Sequence, residues 1–402
     1  MNKSFIKFSN QAKQCHCGNR HYELTIDRVE IKKGALEDAV SYVISKQLHH
    51  VVIVADEITY KVAGEKLQSL LEAGTIHSTV SIVRVDDQND VVANETSIGQ
   101  VLLEVPKQTD VLLAVGSGTI HDITRMVSYK MDKPFISVPT APSVDGFNSM
   151  GAPVVINGVK TTFQTHAPIA VFADMNILVQ APRDMIAAGF GDVLGKVTSL
   201  VDWRFGHIIG DEPFCPLVYR MTEDALHTCI NNVERISTLT EEGIKILMEA
   251  LINSGLAMLL FGRSHPASGA EHHLSHYWEM ELLRTNRKQI LHGAKVGVST
   301  QIIADLYKEF VFAIVDYAKG NKESTNQSLK NKVLENEVEI TNLIGQMIDS
   351  HQVKEMIDLV GGKTTYEELA IEQPLLEESV KEAHNLRERF TLLYIYNKYV
   401  RS

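Results

Sequence analysis

The stretch Thr109-Asp-Val-Leu-Leu-Ala-Val-Gly-Ser-Gly-Thr-Ile-His-Asp122 decides the fold of this chain. Its first half is a short apolar run, typical of a strand buried on both faces of a parallel sheet. Its second half is a glycine-rich turn before a predicted helix over Ile123–Tyr129. Such a turn offers free backbone N–H groups and a positive helix end to a pyrophosphate. The stretch predicts a nucleotide-phosphate site in outline. An ordinary βα turn stays an alternative, because the full G-x-G-x-x-G pattern is absent.

Short apolar runs alternate with helix-like stretches through the first part of the chain. The predicted strands are Val51–Ala55, Val80–Val85, Val111–Val115 and Pro134–Val138, and the predicted helices before Ile123 are Ile58–Leu71 and Ser97–Val105. This βα alternation indicates a parallel sheet covered by helices. From about Met185 onward helical periodicity replaces the strand signals, as in Glu241–Phe261 and Val380–Tyr399. We therefore expect an α/β domain over residues 1–178 and an all-helical domain over residues 179–402, and a chain of 402 residues is long enough for both.

An acidic residue follows the strand that ends at Ala55. Asp56 is placed to accept hydrogen bonds from the ribose hydroxyls of an adenosine and to repel a 2′-phosphate, which favours NAD over NADP. The alternative is that Asp56 caps the helix beginning near Glu57. The two roles do not exclude each other.

Three segments of the second half combine one carboxylate with imidazoles. They are Gly189-Phe-Gly-Asp-Val-Leu-Gly-Lys196, Glu271-His-His-Leu-Ser-His276 and Leu291-His-Gly293. Asp192, His272 and His292 form the kind of ligand set that holds a catalytic divalent metal with one position open. His276 lies one helical turn after His272, so both rings would point from one helix face. Each histidine alone could equally be a core or helix-cap residue.

Five ordered motifs resemble those of glycerol-1-phosphate dehydrogenases, most closely the bacterial, AraM-like branch. The motifs are Gly116–Asp122, Pro139–Gly146, Gly189–Lys196, Ser268–His276 and Leu291–Gly297. The resemblance implies the two-domain fold shared with dehydroquinate synthases and iron-type alcohol dehydrogenases, with a Rossmann-like parallel sheet first. It also implies the NAD(P)- and metal-dependent reduction of dihydroxyacetone phosphate to sn-glycerol-1-phosphate, by a homodimer.

The resemblance also implies roles for individual residues. The metal, Ni²⁺ or Zn²⁺, would be held by Asp192, His272 and His292. Asp145, Asp192 and His276 would contact the substrate and take part in catalysis. The cofactor, NAD with NADP as a possibility, would contact Asp56, Gly116, Gly118, Thr119, Ile120, His121, Asp122, Thr140, Ala141, Pro142, Ser143 and Ser149. Without the resemblance, Asp145-Gly146 would be interpreted as a turn.

Composition limits the possible partners. The net charge of −11 disfavours nucleic acid, and it means that an anionic substrate needs a locally basic pocket. Lys160, Arg263 and Lys295 are the candidates for binding a substrate phosphate, and solvated surface charges are the alternative for each. The chain has no run of 18 apolar residues and no apolar segment typical of a signal peptide, so we expect a cytoplasmic protein that binds no membrane.

Three other functions remain open at this stage. A glycerol dehydrogenase would lack a phosphate pocket. A dehydroquinate synthase normally carries Gly-His-x-x-Gly-His where this chain has Glu271–His276, so this segment counts against that enzyme. A non-catalytic NADH sensor would not need an intact ligand triad, so the presence of the triad counts against a sensor.

The four cysteines fit a reducing compartment better than a disulfide framework. Cys15-His-Cys17 with His21 could bind a second metal. The tight spacing departs from C-x-x-C zinc pairs, so a mobile or locally packed arm is the preferred interpretation.

Overall fold

The computed structural model describes Phe8, residues 10–320 and residues 326–401. A six-stranded sheet with the order β1-β8-β5-β4-β2-β3 occupies the first part, and all its neighbouring strands are parallel. A separate antiparallel hairpin joins β6 and β7. The strands are β1 Arg28–Lys32, β2 His50–Ala55, β3 His77–Ile82, β4 Val111–Gly116, β5 Phe135–Pro139, β6 Gly151–Ile156, β7 Val159–Gln164 and β8 Ala170–Asp174.

Helices cover both faces of the sheet because successive side chains of each strand point to opposite sides. Val51 and Ile53 of β2 pack in one apolar cluster, and Val52 and Val54 pack in another on the opposite face. The covering helices are α1 Ala35–Ser45, α2 Glu57–Thr59, α3 Glu65–Ala73, α4 Glu95–Glu104 and α5 Gly118–Lys130, with a π-helical turn at Tyr60–Gly64 between α2 and α3. The predicted α/β part with a parallel sheet is therefore confirmed.

Some boundaries differ from the prediction. Strand β3 begins three residues before the predicted Val80, and α5 begins at Gly118 rather than at Ile123. The hairpin of β6 and β7 was not predicted, although its turn carries a strong signal. Asn157 and Gly158 both have positive φ, 50° and 75°, as a two-residue hairpin turn requires.

Described residues from Met175 onward contain only helices and connecting segments. The helices are α6 Met175–Leu178, α7 Arg183–Leu194, α8 Lys196–Gly210, α9 Pro216–Ile230, α10 Val233–Ser237, α11 Glu241–Phe261, α12 Ala270–Arg284, α13 His292–Lys319, α14 Gln327–Glu335, α15 Glu337–Gly345, α16 Ser350–Val360, α17 Gln373–Glu382 and α18 Leu392–Ile395, with a short 3₁₀ turn at Ala383–Leu386 and a π-helical turn at Tyr396–Val400. Another short 3₁₀ turn, Gly146–Asn148, lies between β5 and β6. The helical character predicted for this part is confirmed. The division at residue 178 stays a prediction.

Helix α11 matches its predicted bounds. Its length and composition would allow it to cross a membrane, but 72% of its most apolar window is buried inside the protein. It packs in the apolar core of the helical part, against α9 and α7. Its apolar character is therefore accounted for by the core.

The continuous helix predicted over Val380–Tyr399 is wrong. The helical structure ends with the 3₁₀ turn at Ala383–Leu386, and an extended segment follows before α18. Buried carboxylates hold that segment. The Arg389 guanidinium and the Phe390 N–H donate to Glu212, and the Leu392 N–H donates to Asp202 at 3.0 Å. These tertiary hydrogen bonds replace the helical ones, so periodicity alone does not predict the break.

Helices α7 and α13 approach each other backbone to backbone. A Cβ atom added to Gly191 would lie 2.4 Å from the Gly293 carbonyl oxygen, and one added to Gly293 would lie 1.8 Å from the Ala188 carbonyl oxygen. Only glycine fits at both positions. The crossing brings the next residue of α7, Asp192, close to the first residue of α13, His292.

Gly293→Ala is expected to lower the free energy of unfolding by about 1–3 kcal/mol or more, because the added methyl group has to separate the two helices. The measurement is the thermal unfolding midpoint. Gly99→Ala is the control, since Gly99 is also within a helix but has open space around it. That substitution should raise the stability by up to about 1 kcal/mol. Equal effects of the two substitutions would contradict the close crossing.

Candidate active site

A cavity of about 360 Å³ lies between the sheet and the helical part. The loop after β4 contributes Ser117 and Gly118, and the hairpin contributes Lys160. The helical part contributes the three predicted metal ligands and His276 to the same cavity. The predicted cofactor and metal residues of the two parts therefore face one space.

The structure brings the predicted ligand triad together. Asp192 lies on α7, His272 on α12 and His292 at the start of α13. Asp192 Oδ1 is 3.6 Å from His272 Nε2 and 4.0 Å from His292 Nε2. One ligand atom from each residue lies within 4.8 Å of the others, which is a spacing that could hold a metal ion.

The chemistry of these donors fits a divalent metal. Asp192 Oδ1 is buried and has no hydrogen-bond partner among the described residues. A buried carboxylate oxygen without a partner is costly, and a cation at this position would remove the cost. Burial lowers the pKa of His292 to about 3, so its ring is neutral and can donate a lone pair to a metal.

Glu271 orients one of the imidazoles. Its carboxylate lies 2.7 Å from His272 Nδ1 and also accepts from Thr198 Oγ1 at 2.7 Å and from the Gly269 N–H at 2.6 Å. The proton of His272 therefore resides on Nδ1, and Nε2 is left as the ligand atom facing Asp192. Carboxylate–histidine pairs support many metal sites in this way.

A buried lysine bridges the two carboxylates of the site. Lys196 Nζ lies 2.8 Å from Asp145 Oδ2 and 3.5 Å from Asp192 Oδ1, and Ser254 Oγ donates to Asp145 Oδ2 at 2.8 Å. The Asp145 N–H donates to Asp192 Oδ2 at 2.9 Å. Burial by itself raises the pKa of Asp192, but the charge of Lys196 together with the neighbouring His272 and His292 outweighs burial and holds that pKa below its usual range. Asp192 is therefore ionised and ready to bind a cation.

His276 lines the cavity beside the triad but is not part of it. Its ring is 5.6 Å from the His292 ring, centroid to centroid, and its Nδ1 is 3.3 Å from the guanidinium of Arg387. Burial and the neighbouring cations Lys160 and Arg387 keep the pKa of His276 well below its usual range. Because arginine can only donate, Nδ1 accepts and the proton of the neutral ring lies on Nε2.

Three cationic side chains line the cavity. Lys160 and Lys295 both contact Glu279, at 2.7 Å and 2.9 Å, so two positive charges share one negative charge. Arg387 adds a further positive charge to the lining. Arg263, the third phosphate candidate from the sequence, is exposed and lies outside the lining, so the structure does not support its predicted role.

The predicted cofactor residues occupy the carboxyl edge of the sheet. The chain leaves β2 toward one edge of the sheet and leaves β4 toward the other, so the crevice between these strands is a topological switch point. Such crevices bind nucleotides in open α/β sheets. Of the predicted set, those that line the cavity are Gly118, Thr119, Asp122, Ser143 and Ser149.

The other predicted cofactor residues do not line the cavity. Ile120 and His121 are buried in the protein core, and His121 bonds to the Ser117 carbonyl and the Ser137 hydroxyl, each at 2.8 Å. Their side chains are therefore core elements. Gly116 ends β4, and the segment from Thr140 to Pro142 follows β5.

Asp56 caps the helix that follows β2, as the second interpretation of the sequence expected. Its carboxylate accepts from the Thr59 N–H at 2.8 Å, and Thr59 Oγ1 accepts from the Asp56 N–H in return. Asp56 also lies at the switch-point edge, one residue after β2. The cap uses one carboxylate oxygen, so the other oxygen could still accept a hydrogen bond from a ribose hydroxyl as predicted.

Comparison with known proteins places this chain in a family. Residues 30–182 match the family model described as iron-containing alcohol dehydrogenase. Glycerol-1-phosphate dehydrogenase [NAD(P)+] from Geobacillus stearothermophilus is 48% identical over 401 residues, which cover 100% of this chain and 99% of that protein. The protein of the same name from Geobacillus thermodenitrificans is also 48% identical, over 99% of this chain and 98% of its own. The chain belongs to the glycerol-1-phosphate dehydrogenase family.

Solved structures agree in fold with this member of the glycerol-1-phosphate dehydrogenase family. Sulfoacetaldehyde reductase from Bifidobacterium kashiwanohense, in complex with NAD+, superposes with a TM-score of 0.65 at 15% identity. The match covers 95% of this chain and 99% of that one. The likeness extends over both the sheet and the helical part.

Sequence reasoning missed several residues of the site. Lys196 and Glu271 stand inside the quoted motifs, but nothing in their spacing shows that they contact Asp145 or His272. Glu279 follows His276 by three residues, so helical spacing could have placed it on the same face. Arg387 carried no such signal, because it reaches the cavity only where the predicted carboxyl-terminal helix is interrupted.

His272→Asn is expected to remove most of the bound metal, because two protein ligands hold a divalent ion far less well than three. His276→Asn is the matched control and should keep the metal, since His276 lies outside the triad. Metal content is measured by mass spectrometry on protein purified without chelators. Loss of the metal in the His276 variant, with retention in the His272 variant, would show that the ligands are assigned wrongly.

Proposed function

We propose that this protein catalyses the NAD(P)-dependent interconversion of dihydroxyacetone phosphate and sn-glycerol-1-phosphate with the help of one divalent metal ion. The observation that carries the proposal is that three cationic side chains, Lys160, Lys295 and Arg387, line the same cavity as the Asp–His–His triad. A metal site made of one aspartate and two histidines does not by itself select one alcohol as the substrate. A neighbouring cationic pocket selects a substrate that has both a carbonyl or hydroxyl group and a phosphate.

Asp192, His272 and His292 would hold the metal, which when bound would supply Lewis-acid chemistry at the substrate oxygen, and a bound nicotinamide would supply the hydride chemistry. Lys196 helps to keep Asp192 ionised, and Glu271 keeps His272 in the tautomer that exposes Nε2. These supporting contacts orient the triad before the substrate arrives. Asp145 lines the same space, and its Oδ2 is already engaged by Lys196 and Ser254.

His276 is the proposed proton relay. Its neutral ring has Nδ1 turned to Arg387, so Nε2–H can donate a hydrogen bond to the substrate oxygen as negative charge develops there. Transfer of that proton to the oxygen is balanced by uptake of a proton from solvent at Nδ1, so the ring ends neutral. Asp145 is less free to take this role because Lys196 and Ser254 occupy one of its oxygens. Ordered water is the alternative route for the proton.

The phosphate pocket argues against the closest alternative, a glycerol dehydrogenase. Glycerol carries no charge, and among the described residues Glu279 is the only carboxylate within ion-pair distance of Lys160, Lys295 or Arg387, so a neutral substrate would leave these three cations with one contacting counter-charge. Glu279 balances one of these cations. A phosphate dianion would balance the rest.

The cofactor is proposed to bind along the switch-point crevice. Its pyrophosphate would lie at the amino-terminal end of α5, against Gly118 and Thr119, and its nicotinamide would point to the triad. We propose nickel or zinc as the metal, since a carboxylate with two imidazoles suits both. A homodimer in the cytoplasm completes the proposal.

The function is tested by steady-state kinetics with sn-glycerol-1-phosphate, its enantiomer and glycerol, each with NAD and with NADP. The expected result is a clear preference for sn-glycerol-1-phosphate. Equal or better turnover of glycerol would overturn the proposed substrate.

In the same assay, Arg387→Met should lower kcat/KM for the phosphate substrate by about 10- to 100-fold, because a charge-assisted hydrogen bond is lost. Arg263→Met is the control and should leave it unchanged.

Asp56→Asn should narrow the advantage of NAD over NADP, because the charge that repels a 2′-phosphate is removed. Asparagine is as good a helix cap as aspartate, so the thermal midpoint should stay near that of the wild type. The ratio of kcat/KM values for the two cofactors is the measurement. An unchanged ratio would place Asp56 away from the adenosine and leave it only the capping role.

A further inference from the structure

Four side chains with metal-ligating atoms meet where the amino-terminal segment packs against the helical part. They are Cys15, Cys17, His21 and Cys215, called here the Cys₃His cluster. Three belong to one short segment, and the fourth caps the amino-terminal end of α9. Cys215 is buried and the other three are partly buried. Among the described residues that line the active-site cavity, none belongs to the cluster.

The spacing of the cluster matches a tetrahedral zinc shell. Zn–S bonds of about 2.3 Å and a Zn–N bond of about 2.0 Å place two sulfurs about 3.8 Å apart and a sulfur about 3.5 Å from a nitrogen. Cys15 Sγ and Cys215 Sγ are 3.7 Å apart. His21 Nε2 lies 3.4 Å from Cys17 Sγ and 3.7 Å from Cys215 Sγ. All four ligand atoms lie within 4.8 Å of one another.

A disulfide does not account for the same geometry. A bonded pair of sulfurs is about 2.05 Å apart, whereas Cys15 and Cys215 are separated by 3.7 Å. A disulfide would also not explain why the third thiol and the imidazole lie next to the other two sulfurs. Three sulfurs and one ring nitrogen on one centre are, by contrast, the donor set of a structural zinc site.

Neighbouring groups shape the segment around the cluster. Gly18 has a φ of 78°, which lets the chain turn sharply after Cys17. The Asn19 side chain donates to Cys17 Sγ at 3.5 Å and to the Phe214 carbonyl at 2.7 Å. It therefore ties the turn to the residue just before Cys215. Hydrogen bonds to ligand sulfurs are typical of the surroundings of a metal site.

We propose that the Cys₃His cluster binds one Zn²⁺ ion per chain, separate from the active-site metal, and that this ion fastens the amino-terminal segment to the helical part. With four protein ligands the shell is closed, so the ion is structural rather than catalytic. Binding deprotonates the three thiols and releases three protons to solvent, and the neutral imidazole completes a complex of net charge −1.

The position of the ion gives it a mechanical role. The segment after the cluster runs along α11, where the Tyr22 N–H donates to the Leu260 carbonyl, and then enters β1 at the edge of the sheet. Zinc would therefore hold the start of the chain to the helical part just before the chain joins the sheet. Thiolates favour zinc over the harder metals that carboxylates bind.

The first test uses the wild-type protein produced in cells grown with cobalt in place of zinc. Co²⁺ in the cluster should give intense thiolate-to-cobalt charge-transfer absorption, together with the visible bands of a tetrahedral ion. The Asp192 triad contains no sulfur and cannot produce the charge-transfer bands. A protein that contains cobalt but lacks these bands would overturn the proposal without reference to any variant.

The second test compares zinc content in variants of the full chain. Cys17→Ser should lose one equivalent of zinc per chain and unfold at a lower temperature. His16→Ala is the matched control from the same turn. Its side chain is exposed and outside the cluster, so it should retain the zinc and the stability of the wild type. Retention of the full zinc content by Cys17→Ser would overturn the proposal.

The two metal sites can be tested independently. His272→Asn should keep the zinc of the Cys₃His cluster while it loses the active-site metal. Cys17→Ser protein should bind the active-site metal as the wild type does. If the substrate assay fails but the charge-transfer bands are present, only the proposed function is wrong. A disulfide between Cys15 and Cys215, found by mass spectrometry of the protein as purified, would count against the zinc site.

Discussion

The contact on which the active site depends is the crossing of α7 and α13, where two backbones touch without side chains between them. Gly191 and Gly293 make this approach possible. Asp192 follows Gly191, His292 precedes Gly293, and both are proposed metal ligands. A side chain at either position would clash with the facing backbone and push Asp192 and His292 apart. The geometry of the triad is therefore a consequence of helix packing, and the helix packing is a consequence of two absent Cβ atoms.

Burial of charge is the second constraint. Lys196, Asp145 and Asp192 lie together in the interior, where an unpaired ion would be very unfavourable. Asp145 Oδ2 is contacted by Lys196 and Ser254, Lys196 also donates to the Asp192 carbonyl, and Asp192 Oδ2 accepts from the Asp145 N–H. Asp192 Oδ1 has no hydrogen-bond partner among the described residues, and it points between the two imidazoles of the triad. The protein completes nearly all of this network by itself, and the proposed metal ion would complete the rest.

The cavity arises because the sheet and the helices present complementary halves. The carboxyl edge of the sheet would bind the pyrophosphate of the cofactor. The helices contribute the proposed metal ligands and the cationic side chains Lys295 and Arg387. The hairpin of β6 and β7 closes one side and contributes Lys160, which shares Glu279 with Lys295 from α13. An enzyme of net charge −11 can thus present a basic pocket to an anionic substrate. The Cys₃His cluster would hold the start of the chain to the helical half of the same assembly.

The sequence by itself determined the parts of this protein that depend on local pattern. The buried strand and glycine turn from Thr109 to Asp122, the apolar helix Glu241–Phe261 and the helical character after Met185 all follow from periodicity and turn chemistry. The family motifs supplied the triad and the expected cofactor edge. Asn157-Gly158 shows that local signals could have predicted even the missed hairpin.

Only the tertiary structure decided the features that join distant positions. Arg387 reaches the cavity because Glu212 and Asp202 interrupt a stretch whose periodicity is helical. Cys215 meets Cys15 although 200 residues separate them, which is why the spacing of the amino-terminal cysteines alone argued against a metal site. Arg263, conversely, has the right charge and lies in the wrong place. The local sequence pattern predicts the hydrogen bonds that form within one segment. These contacts instead depend on which distant residues the folded chain brings close to each other.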